Sequence, residues 1–159
     1  MAQLSMHSPV GDLTLHEDAG ALVALDWGWV PDQTPTPLLL RARDQLDAYF
    51  DGTLEVFDLA LRPAGTVFQK TVWAELLKIR YGSTATYGTL AARLGSHPRA
   101  IGTACARNPL PIIIPCHRIT GVDGALTGYS GEGGIATKAA LLRLEGALDI
   151  QQELFITTS

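Results

Sequence analysis

A change of hydrophobic period near residue 65 constrains the fold of this chain more than any other feature. Up to residue 30, apolar and polar residues alternate in the short runs LSMHS, DLTLHE and ALVALDWGW. Turn signals at Ser8-Pro9 and Asp18-Ala19-Gly20 separate these runs. Alternation at every second position places the apolar side chains on one face of a strand, which predicts two or three antiparallel strands. PDQTPTP, residues 31–37, is a loop by composition. Residues 38–50 then repeat at helical spacing, with Leu39, Leu46 and Phe50 on one side and Gly52 just past the end. LEVFDLAL, 54–61, predicts one more short strand, and RPAG, 62–65, closes this first part.

Beyond that point the period is helical. Thr66 and Gln69 form a T-x-x-Q capping box, which opens a helix to about Arg80 with Val67, Val72, Trp73, Leu76 and Leu77 as its buried stripe. Gly82 ends it. Thr86 caps a second helix, Tyr87 to Leu94, stopped by Gly95; Pro98 starts a third that runs to about Arg107. A tight turn around Gly95 joins these two as in a helix-turn-helix. NPLPIIIP, 108–115, is expected to be rigid and extended, because each proline disfavours helix in the residue before it. Residues 118–128 read as a small hairpin or loop turning at Asp123-Gly124, and 137–144 as a last helix. The predicted class is therefore α+β: a small antiparallel sheet with a helix over 1–64, a mostly helical, winged-helix-like part over 65–147, and a tail, 148–159.

The charge follows the same division. Residues 1–64 hold three Lys/Arg and ten Asp/Glu, while residues 65–147 hold nine and four, so an acidic piece is joined to a basic one. That asymmetry suggests a polyanion for the second piece, although a solvated surface would give the same pattern. No apolar run approaches the ~20 residues needed to span a bilayer, and the opening MAQLSMHSPV lacks the character of a secretory signal; a cytoplasmic protein is expected. The two cysteines, Cys105 and Cys116, argue against a disulfide framework there. Without a paired C-x-x-C, no metal site is expected.

Cys116 stands between Pro115 and His117 at the end of an isoleucine run. A thiolate is the nucleophile, and a thiol with a pKa of ~8.5 needs a base or a positive field to form it at neutral pH. His117 is adjacent in sequence and Arg118 follows it; successive side chains often point apart, so the contact with the thiol is direct or bridged by a water. Taken alone, the pair reads first as a small buried hydrophobe beside a satisfied core histidine; only the longer pattern changes that.

The longer pattern NPLPIIIPCHRITGVDGALTGYSG resembles the active-site segment of the O6-alkylguanine-DNA alkyltransferases, also called methylated-DNA–protein-cysteine methyltransferases; P-C-H-R is that family's most specific signature. The resemblance continues through GTVFQKTVWAELLKIRYGSTATYGTLAARLG and LDAYFDGTLEVFDLAL, covering roughly residues 40–147. It implies DNA repair by direct, single-turnover transfer of an alkyl group from the 6-oxygen of guanine to Cys116. His117 is then the base, acting through a water, and Glu145 the carboxylate that holds it. Asn108 ties the cysteine segment to the preceding helix, and Tyr87 donates to the leaving guanine. Arg99 is the finger that fills the place of a flipped nucleotide, and Ala100, Gly102 and Thr103 let that helix approach the minor groove. Tyr129 and Ser130 line the base pocket, with the carbonyls of Cys116 and Ile119 accepting from the exocyclic amine. Arg118 orients the loop. The implied partner is duplex DNA carrying O6-alkylguanine, bound by a monomer without cofactor.

The sequence departs from the family pattern in several places. GEGGI, 131–135, is two residues longer than the usual run and inserts Glu132. The turn GSHPR before Arg99 is about two residues shorter, and Ala139-Ala140 replace a frequent tryptophan. The amino-terminal part has His7 and His16 but no cysteine, so the zinc of some members is not expected. Cys105 reads as a buried filler of the third helix. An alternative function is a binder of alkylated DNA with the same fold and no transfer activity; a cysteine hydrolase lacks any oxyanion-hole motif.

Overall fold

The computed structural model describes residues 1–129 and 131–148. The chain is α+β, and it divides into two compact units: Met1–Gly65 together with Pro109–Ile113, and Thr66–Asn108 together with the chain from Ile114 onward.

In the first unit, strands β1 (Ala2–Met6), β2 (Leu13–Asp18) and β3 (Ala21–Trp27) form an antiparallel meander with β2 at its centre. Leu4 pairs with Leu15 and Leu15 with Leu25, so the period-2 leucines meet across the sheet. Helix α1 (Pro37–Phe50) starts where Thr36 accepts the Leu39 N–H at 3.1 Å, with proline in its first turn. It buries Leu39, Ala42, Leu46 and Tyr49; Tyr49 rather than Phe50 completes the stripe, because the 3-4-3 spacing ends on it. The strand expected over 54–61 does not form. A single bridge joins Leu61 to Leu22, held by Leu22 N–H to Ala60 O and Arg62 N–H to Leu22 O, both 2.8 Å.

The second unit is built from helices α2 (Val67–Leu76), α3 (Tyr87–Leu94), α4 (Pro98–Ala106) and α5 (Ile135–Leu144). The Thr66/Gln69 capping box is made in both directions, at 3.1 and 3.0 Å. Helix α2 stops about one turn earlier than its pattern suggests. Val67 is 84% exposed and Leu77 is also exposed, since the first helical residue and the one past the end both lie off the stripe made by Val72, Trp73 and Leu76. Trp73 donates its indole N–H to Ala104 O at 2.9 Å, fixing α4 to α2. Gly95, at φ 62°, makes the left-handed turn between α3 and α4 that an L side chain would resist.

Two short strands, β4 (Ala85–Thr86) and β5 (Ile119–Thr120), pair in parallel, so the start of α3 is tied to the residues just after Cys116. The segment 108–115 is not extended. Ile112 sits at φ 73°, an uncommon conformation for a β-branched residue, and the chain turns there before a 3-10 turn over Cys116–Arg118. After β5, residues 121–128 form a loop, the second of the two expectations, and not a hairpin; Asp123 and Gly124 are both at positive φ and Gly121 N–H bonds Ala125 O at 2.8 Å. No helix among the described residues is long and apolar enough to cross a membrane.

Candidate active site

The 3-10 turn is closed by Arg118 N–H to Pro115 O at 3.1 Å, and just ahead of it Ile114 O accepts twice, from the Cys116 N–H and from Asn108 Nδ2, both at 2.8 Å. The asparagine after α4 thus fixes the backbone two residues before the cysteine. Cys116, 5% exposed, faces a cavity of about 310 Å3 that is also lined by Tyr87 from α3, Gly102, Cys105 and Ala106 from α4, and Gly128 and Tyr129. This volume is at the lower end of the ~300–1,000 Å3 typical of small-ligand pockets.

His117 is fully buried, and its Nε2 lies 2.8 Å from Glu145 Oε2. A carboxylate only accepts, so Nε2 carries the hydrogen and Nδ1 keeps a lone pair. Nδ1 is buried and has no protein hydrogen-bond partner among the described residues. Arg118 holds the other side of Glu145: Nε reaches Oε1 at 2.8 Å, Nη2 reaches Oε2 at 3.0 Å, and Nη1 donates to Ile79 O at 2.6 Å. This bidentate pair compensates the buried carboxylate and fixes its plane. Burial, opposed by Glu145, lowers the His117 pKa, so its neutral form prevails.

Burial raises the Cys116 pKa; a hydrogen bond from Asn108 and the charge of Lys138 work against that rise. Burial also pushes the phenol of Tyr129 up, and likewise that of Tyr87, against a hydrogen bond with Thr127. Cys105 is driven to about 12, chiefly by burial and then by Cys116. The cavity therefore presents neutral thiols and protonated phenols at rest.

The structure brings together Cys116, His117, Glu145, Asn108, Tyr87 and Tyr129 in one unit. Ile119 is fully buried in β5 and does not line the cavity, while Ser130 lies outside the described residues. Arg99 and Thr103 are exposed on α4 with Ala100 and Gly102 half-buried between them, and Thr103 Oγ1 donates to Arg99 O at 3.1 Å. Two participants are not apparent from the sequence. Cys105 is no mere filler, since it lines the cavity. Lys138 is fully buried in α5, where a lysine between Thr137 and Ala139 reads as solvated.

Fold and site together are those of an α+β, cysteine-dependent transferase. The chain belongs to the 6-O-methylguanine DNA methyltransferase family: residues 2–63 match its ribonuclease-like domain and residues 67–147 its DNA binding domain. A methylated-DNA–protein-cysteine methyltransferase of Methanosarcina acetivorans is 41% identical over 153 residues, covering 88% of this chain and 95% of the relative. One of the same name from Mycobacterium tuberculosis is 45% identical over 150 residues, covering 89% and 90%. The crystal structure of Mycobacterium tuberculosis OGT in complex with DNA superimposes with a TM-score of 0.81 at 44% identity, covering 91% of this chain and 92% of that one.

Proposed function

We propose that this protein repairs DNA directly, with Cys116 taking the alkyl group from O6-alkylguanine in a duplex once per molecule. The observation that carries this reading is the buried Cys116 on the cavity wall, next to a histidine whose only proton is committed to Glu145. His117 Nδ1 is left as the base, and it takes the thiol proton through a water. Sulfur attacks the alkyl carbon, an S–C bond forms as the C–O6 bond breaks, and the electron pair goes to the guanine. Tyr87 donates to the base as that charge develops, and the thiol proton finally replaces the alkyl group on guanine. The thioether has no comparable leaving group, so the protein is not regenerated.

A base inside a duplex must leave the stack to reach a cavity of this kind. The exposed face of α4, with Arg99 and the small residues Ala100, Gly102 and Thr103, suits a close approach in the minor groove, Arg99 filling the vacated position. Tyr129 and Ser130 are assigned to the base pocket, with the carbonyl of Cys116 toward the exocyclic amine; the fully buried Ile119 does not line the cavity and is not assigned to the base. Residues 1–64 act as the amino-terminal α/β domain, 65–147 as the catalytic and DNA-binding domain, and 148–159 as a tail. The protein works as a monomer. Its dependence on a reduced thiol suits the cytoplasm.

The test is a count. Duplex carrying O6-methylguanine is supplied in excess, and lesions removed are compared with protein molecules present. One lesion per protein, and none with Cys116→Ser, is the expected result. Repeated turnover, or repair by the serine variant, would overturn the proposal.

A further inference from the structure

Cys105 is a buried nucleophile that the reaction leaves unused. It faces the same cavity as Cys116, one sulfur carried by α4 and the other by the 3-10 turn, and both lie in one compact unit. Three hydrogen bonds that run through Asn108 set the two backbones against each other. Asn108 N–H donates to Cys105 O at 3.2 Å, Asn108 Nδ2 donates to Ile114 O at 2.8 Å, and the same carbonyl accepts the Cys116 N–H at 2.8 Å. Asn108 is itself buried, and the chain between the two cysteines turns back at Ile112, φ 73°. The thiols are close enough that the charge of Cys116 acts on Cys105, and Tyr87 and Lys138 feel both. Both cysteines are free in this structure. A buried cysteine packs as a small hydrophobe, and what sets it apart from alanine is its redox chemistry. A sulfenic acid left alone goes on to sulfinic acid, which thiols do not reduce; a second thiol within reach condenses with it first.

We propose that Cys105 and Cys116 form a reversible oxidation site, in which a hydroperoxide converts the pair to a disulfide that masks the acceptor sulfur and that an external dithiol reopens. The bond itself is independent of the function proposed above; its consequence for repair rests on that function. Burial keeps both thiols protonated at rest, Cys105 with a pKa of about 12, so oxidation starts at Cys116, whose proton His117 takes. The Cys116 sulfur attacks the peroxide, an S–O bond forms as the O–O bond breaks, and the first water leaves. The Cys105 sulfur then attacks that sulfur, the S–S bond forms as the S–O bond breaks, and the Cys105 proton leaves with the hydroxide as the second water. Two thiols are oxidised by two electrons in all, and one hydrogen peroxide is reduced to two waters.

The test uses reduced full-length protein without DNA. It is treated with excess hydrogen peroxide, its remaining thiols are blocked, and it is digested with trypsin in the absence of reductant. The expected product is the 100–107 peptide joined to 108–118, two hydrogens lighter than the pair, with repair lost and then restored by dithiothreitol. Cys105→Ala should instead gain two oxygens on 108–118, and dithiothreitol should restore less than about a tenth of that variant's own starting repair, against most of it in wild type. Unlinked 108–118 carrying two oxygens in wild type, formed as fast as in the variant, would overturn the proposal. So would 108–118 joined to the same peptide of a second molecule. Should Cys105→Ala not fold, the wild-type digest decides alone, since the peptides are either linked or not. A wild type that takes up no methyl from O6-methylguanine duplex refutes the proposed function, and the linked peptide then still decides whether the two thiols form an oxidation site.

Discussion

Glu145 accepts from a histidine and an arginine at once, and both depend on its charge. Glu145→Gln keeps the shape but leaves Arg118 buried without its counter-ion, so unfolding in urea should show a loss of about 3–5 kcal/mol. It also offers His117 an amide that can donate as well as accept, which releases the tautomer, and the single-turnover rate should fall about a hundredfold. A variant as stable and fast as wild type would contradict this role. The lowered pKa of His117 fixes a pH effect with a definite sign. Below the ordinary value of ~6.5 the unfolded chain takes up a proton that the buried ring refuses, so stability is full above that value and is lost as pH falls toward the lowered folded one. Between about pH 7 and about pH 5.5 the urea midpoint should drop more in wild type than in His117→Asn; equal drops would show that His117 contributes nothing. At this scale Cys116-His117 was legible as a reactive pair because the residues are adjacent. The Glu145 partnership, 28 residues away, was legible only through the family resemblance. Lys138 was illegible, since a helical lysine ordinarily reaches solvent, and so was the left-handed Ile112, because β-branched side chains disfavour that region.

Helices α3 and α4 were readable almost to the residue because their ends are written in side chains: Thr86 and Pro98 at the starts, Gly95 at the stop. His97, whose Nδ1 accepts the Arg99 N–H at 3.1 Å, caps α4 in a way the sequence did not suggest. The stop signal read for α2, Gly82, lies beyond the true end at Leu76, and there the apolar pattern runs on past the helix. The strand predicted over 54–61 failed because apolar spacing proposes a strand, but only a pairing edge makes one, and Leu61 finds a single bridge. The exposed Arg99 near the start of α4 gives the prediction at this scale. Arg99→Ala should slow repair in duplex DNA by about tenfold or more while changing reaction with free O6-alkylguanine less than about twofold, since only the duplex needs a base extruded. Equal losses on both substrates would remove the finger role.

Over the whole molecule the α+β class was visible in the change of hydrophobic period, and the charge division follows the sequence boundary near residue 65. Nine Lys/Arg against four Asp/Glu over 65–147 imply that full-length protein releases counterions on binding DNA. Its affinity for duplex should fall linearly in log-log form with salt, with a slope of roughly −0.9 per phosphate neutralised; a flat response would contradict phosphate contact. The two thiols that share the cavity make the identity of the acceptor the central question, and the sequence separates them for measurement. Trypsin cuts after Arg99, Arg107 and Arg118, placing Cys105 in residues 100–107 and Cys116 in residues 108–118. After reaction with duplex carrying O6-methylguanine, mass spectrometry should find the 108–118 peptide heavier by one CH2, in an amount equal to the guanine restored, with 100–107 unchanged. Restored guanine with an unmodified 108–118 peptide, or a methyl group on 100–107, would contradict Cys116 as the acceptor.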